Sequence, residues 1–123
     1  MPTPWVLLIG ETPSLTASLL DFLEASLDAR GVDIVPVGSL AEAEKVCALR
    51  RSETRPILVS ACNQYRCETP YQWPRSSLKD CHFILVGGRD SGPAGQPLFH
   101  QIRLPPRVGE LEDLLHLLLG TAA

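Results

Sequence analysis

Four cysteines, three histidines and a serine closing an apolar run are the side chains of this chain with most chemistry to offer. Cys62 and Cys67 stand four residues apart, and Cys81 is followed directly by His82, so one stretch holds four candidate metal donors. Structural zinc sites are usually built on tighter knuckles such as Cys-x2-Cys, and Cys81 falls where a buried strand is expected to begin. The N-terminus, Met1-Pro2-Thr3-Pro4, lacks the basic region and long apolar stretch of a secretory leader. That places the chain in the cytosol, where thiols stay reduced. The cysteines are therefore expected to act as small buried hydrophobes plus one loop thiol, with no disulfide, metal or cofactor. Ser60 has no Gly-x-Ser-x-Gly elbow around it and no His/Asp pair set by spacing. His82, His100 and His116 are scattered, which suits structural or surface roles. Gly87-Gly88 lacks the spacing of a phosphate-cradling loop. Arg50-Arg51 with Arg55 follows an expected helix end, where cations complement the helix dipole. No catalytic set emerges, and a non-enzyme is expected.

Bulk properties narrow the class further. The chain has 123 residues, 45% of them apolar, and a formal charge of −3. One domain spanning 1–123 is expected, with enough apolar content for a single core. The negative balance argues against a nucleic-acid binder held by bulk charge. No apolar run approaches the ~18 residues that cross a bilayer, so no membrane partner is expected.

The elements that must position these residues alternate along the chain. Trp5 to Ile9, Ile57 to Val59 and Phe83 to Val86 are continuous apolar runs, the pattern of strands buried on both faces of a parallel sheet. Asp33 to Val37 reads as a shorter strand, with Pro36 pushing it to an edge, and 101–104 as a second edge strand. A helix opens at Thr12-Pro13 and carries Leu15, Leu19, Phe22, Leu23 and Leu27 on one face, ending at Gly31. Ser39 with Glu42 forms a capping box for a second helix with Leu40, Ala43, Val46 and Cys47 inward and Leu49 marginal. A last helix after Pro105-Pro106 carries Val108, Leu111, Leu114, Leu115 and Leu118. Pro70 and Pro74 permit only a short helix near 74–79, and the Gly/Pro-rich segment 87–100 is expected to be loop. The expected fold is an α/β flavodoxin-like three-layer sandwich. Its five-stranded parallel sheet runs in order 2-1-3-4-5, and helices 3 and 4 are reduced.

Trp5-Val6-Leu7-Leu8-Ile9-Gly10-Glu11-Thr12-Pro13, Ile57-Leu58-Val59-Ser60-Ala61, Phe83 to Ser91 and Leu104-Pro105-Pro106 together resemble a response-regulator receiver domain. That resemblance implies a two-component signalling role. Receivers carry an acidic pair after strand 1, a phosphoryl-accepting Asp after strand 3, a Ser/Thr after strand 4 and a Lys before a Pro after strand 5. Here the acidic pair falls on Gly10 and Glu11, and the acceptor on Ala61, or on Ser60 in a register shifted by one. The hydroxyl position falls on Gly87 and the Lys on Pro105 or Leu104. A lone Glu11 is too little to hold a hydrated Mg²⁺. The resemblance thus implies a pseudo-receiver, similar to those of flagellar enhancer-binding regulators and of the clock protein KaiA. Such a domain is a phosphorylation-independent regulatory module that works by contact with a protein partner, with its own output domain, or with a second copy.

In the last helix, Leu117 lies outside the core stripe and Leu119 at its margin, so with Leu104 they form a candidate interaction face. Tyr65, Tyr71 and Trp73 form a second candidate face, or else cover the sheet where a helix is short. Two alternatives stay open: a small-ligand or nucleotide sensor using the crevice above strands 1 and 3, and a redox or zinc switch on Cys62, Cys67 and Cys81.

Overall fold

Apolar residues on both sides of a strand require cover on both sides, and that requirement organises this molecule. The computed structural model describes residues 5–10, 13–27, 31–50, 55–62, 68–87, 93, 95–103 and 109–122. Strand β1 (Trp5–Gly10) pairs in parallel with β2 (Asp33–Val37) on one side and β3 (Ile57–Cys62) on the other. Beyond β3 lie β4 (Phe83–Gly87) and β5 (Phe99–Ile102), both parallel, completing the order β2-β1-β3-β4-β5. This is the expected flavodoxin-like α/β sheet. Pro36 sits on the edge strand β2, where a missing N–H donor is tolerated.

The two faces carry separate cores. On one, Leu19 and Leu23 of α1 (Pro13–Leu27) and Leu111, Leu115 and Leu118 of α4 (Glu110–Ala122) pack over Val6, Leu8, Val59, Ile84 and Ile102. On the other, Leu40 and Ala43 of α2 (Leu40–Leu49) join Trp73 and Leu78 over Leu7, Ile9, Leu58, Phe83 and Leu85. Strand alternation sends successive residues to opposite cores. One expected inward residue is misplaced: Phe22 is 41% exposed, because one step along the helix from Leu23 turns it off the core stripe. Leu49 is fully on the surface at 87%.

Local signals set the helix ends. The Ser39 hydroxyl accepts from the Glu42 N–H at 3.2 Å, and the Glu42 carboxylate accepts from the Gly38 N–H at 2.9 Å, a capping box displaced by one residue. α1 ends at Leu27, earlier than the expected stop at Gly31, which itself takes φ +68°, a left-handed conformation that favours glycine.

The third connection differs from expectation. Its helix, α3 (Thr69–Gln72), starts earlier than 74–79, and a 3₁₀ turn follows over Trp73–Arg75. Pro70 and Pro74 each stand in the first turn of their helix, where no intrahelical N–H is needed, so the two prolines start two short helices. Trp73 is buried and belongs to the core rather than to a docking face. Its indole meets Phe83 at 5.3 Å between centroids and Phe99 at 6.4 Å. A large aromatic thereby fills the room that a longer helix would occupy. Tyr71 is half-buried, and Tyr65 lies outside the described residues.

The fifth strand is also displaced, covering Phe99–Ile102 instead of 101–104. Among the described residues no helix stands between β4 and β5, in keeping with the Gly and Pro content there. No helix among them is long and apolar enough to cross a membrane.

Candidate functional site

The carboxyl ends of β1, β3 and β4 meet where a sheet of this order places its crevice. Gly10 is the register partner of Ala61, and Ala61 of Val86, with Gly87 one step further on. Each of these positions lacks a functional group, and two are built around that lack. A Cβ on Gly10 would lie 2.6 Å from the Thr16 methyl and 2.8 Å from its hydroxyl oxygen. Thr16, one turn into α1, therefore fills the space a side chain at position 10 would need. Gly87 is buried with φ +108°, a conformation that L side chains rarely adopt. Its carbonyl accepts from the Gln101 side-chain amide at 3.0 Å, which fixes the strand end. Ala61 is buried at 2% exposure and faces the α1/α4 core.

Ser60 faces the opposite core. It is wholly buried, and its hydroxyl has no hydrogen-bond partner. With no base beside it, the hydroxyl has nothing to activate it as a nucleophile. Beyond the Val86–Ile102 pair the next residue of the fifth chain segment is Arg103, level with Gly87 and exposed. Arg103 is thus one step past the end of β5, where the sequence reading, with its strand set two residues late, placed strand. Glu11, Leu104 and Pro105 lie outside the described residues.

The cysteines divide differently from expectation. Cys62 ends β3 and is disulfide-bonded, which corrects the reading of a fully reduced set; its other half lies outside the described residues, as does Cys67. Cys47 and Cys81 are free. Burial pushes the Cys47 thiol up, with Arg55 opposing. Burial, then the neighbouring Cys47, pushes Cys81 up to about 11 despite a hydrogen bond from Arg55. Neither is an activated thiolate at neutral pH. Among the described residues, no three His, Cys, Asp or Glu side chains are grouped to hold a metal ion.

On the candidate interaction face, Leu117 is 64% exposed while Leu118 beside it is buried. Leu119 lies in α4, but its side chain is outside the described set. No protein-family model matches the chain, and no curated protein matches it.

Proposed function

We propose that this chain is a phosphorylation-independent regulatory domain of receiver-like design. In this reading it acts by protein contact within a bacterial regulator of the two-component type. One observation carries the reading: Thr16 occupies the space over Gly10, where the receiver pattern needs a metal-binding carboxylate. Ala61 at the acceptor position and the positive φ of Gly87 at the hydroxyl position support it. Aspartyl phosphorylation needs a carboxylate, a divalent metal and a neighbouring cation acting together. Here the carboxylate is missing at the acceptor position, and the backbone is shaped against regaining its partners. The output is then carried by a surface, and exposed Leu117 is the residue to test first. Incubation with acetyl phosphate and Mg²⁺ should leave the intact mass unchanged. A phosphoryl group found on any crevice residue would overturn the proposal.

A second reading rests on Cys62. Cys62 closes the central strand and is disulfide-bonded, so reduction would release a constraint on the carboxyl end of β3. If the bond is a switch, adding a phosphine reductant should change proteolytic sensitivity just after residue 62 without lowering thermal stability elsewhere. An unchanged digestion pattern would reduce the bond to a structural staple.

A further inference from the structure

We propose that His82 and His100 form a proton-operated latch that holds edge strand β5 against β4. His82 immediately precedes β4, and its carbonyl accepts from the Leu58 N–H, which anchors it to β3. His100 lies in β5 opposite Ile84. Strand alternation puts both imidazoles on the α1/α4 face, with Ile84 and Ile102. His82 Nδ1 and His100 Nε2 are 3.1 Å apart. The ring centroids are 5.3 Å apart and the planes only 27° from parallel, so the rings meet edge to edge through these nitrogens. That is the geometry of one N–H donating to one bare nitrogen, and it requires at least one neutral ring.

Besides its ladder to β4, β5 is tied by the Gln101 amide, which donates to the Gly87 carbonyl. It has four residues and is an edge strand, with Phe99, His100 and Gln101 only half-buried. Phe99 packs on Phe83 and Trp73 from the opposite face, and Ile102 enters the core. Among the described residues, the histidine pair is therefore the side-chain to side-chain polar link between the two strands on the α4 face.

Acid opens this link. Burial holds both rings below the ordinary histidine range, and His82 lowers His100 further. The titratable groups on the surrounding elements, among the described residues, are Asp21 and Glu24 of α1, Glu110, Glu112, Asp113 and His116 of α4, Lys79, Asp80 and Cys81 before β4, and Arg103 after β5. None of them is among the causes of either shift. The two rings titrate as a unit, and the second proton removes the acceptor and sets two cations side by side. Both rings bind protons more readily once β5 is released. The latch is therefore closed above the unperturbed value of about 6.5 and weakens as pH falls below it.

Hydrogen exchange on the full chain, corrected for intrinsic rates, tests this at about pH 7.5 and about pH 5. Protection of the Phe99–Ile102 amides should fall roughly ten-fold or more at the lower pH while β1 and β3 keep theirs. In His82→Gln and His100→Gln the same amides should show no such pH dependence. Acid loss that persists in both variants would overturn the latch. So would imidazole NMR titration of the unsubstituted chain in which both rings titrate independently near the free value, a measurement that needs no variant to fold.

Discussion

The indole N–H of Trp73 donates to the carbonyl of Leu78 at 2.7 Å, closing the turn that follows the 3₁₀ segment and fixing a buried aromatic over Phe83. Both partners are buried, so neither finds water if the bond is lost. Trp73→Phe keeps most of the packing and removes one of two donors to the Leu78 carbonyl, which still accepts from the Cys81 N–H at 3.0 Å, and should lower unfolding stability by about 0.5–1.5 kcal/mol. Trp73→Ala adds a cavity and should cost about 3–5 kcal/mol. Urea denaturation of the three proteins checks both numbers. An unchanged stability in Trp73→Phe would mean that the hydrogen bond contributes nothing, and equal losses in the two variants that the ring packing adds nothing beyond it.

Introducing receiver side chains should fail in a graded way. Gly10→Asp forces Thr16 or the β1 end to move, an overpacking that costs about 1–3 kcal/mol. Gly87→Thr places a β-branched residue at positive φ, with a strain of about 1–3 kcal/mol. Ala61→Asp alone should give no acetyl phosphate-dependent mass increase, since the carboxylate would lack its metal-binding neighbour. A phosphorylated Ala61→Asp protein would show that the crevice is more complete than Gly10 and Gly87 imply.

Leu117→Asp is the test of the α4 surface. An exposed leucine contributes little to folding, so the change in stability should stay within about 0.5 kcal/mol. Association with a protein partner or a second copy, read by sedimentation or pull-down against the unsubstituted chain, should weaken. Unfolding of the variant would instead assign Leu117 to the core, and unaltered association would move the interaction face elsewhere.

The central strands were legible because Trp5–Ile9, Ile57–Val59 and Phe83–Val86 are continuous apolar runs, and burial on both faces leaves no other reading. Ser39 and Glu42 were legible because a capping box acts over one turn. The edge was not. Phe99-His100-Gln101-Ile102 has a single fully buried residue, so its apolar pattern is too thin to fix where the strand begins. The closure over Gly10 was hidden for another reason. Thr16 is only six residues away, yet the contact exists only once α1 folds back over β1, and no local propensity encodes that approach. Cys62 was misread because compartment was used to infer redox state, while bonding also depends on which cysteine the fold brings near.

The glycines at the ends of β1 and β4 also bear on how this sequence can change. A route to the receiver set of side chains passes through substitutions at positions 10 and 87, and each of these loses stability before any reactivity is gained. For a domain with a reserve of only about 5–15 kcal/mol, two such steps consume a large share of it. Relaxing Thr16 or the strand end first would have to come before either step. Small residues at these strand ends are thus easily kept, and replacing them with reactive ones needs a concerted set of changes.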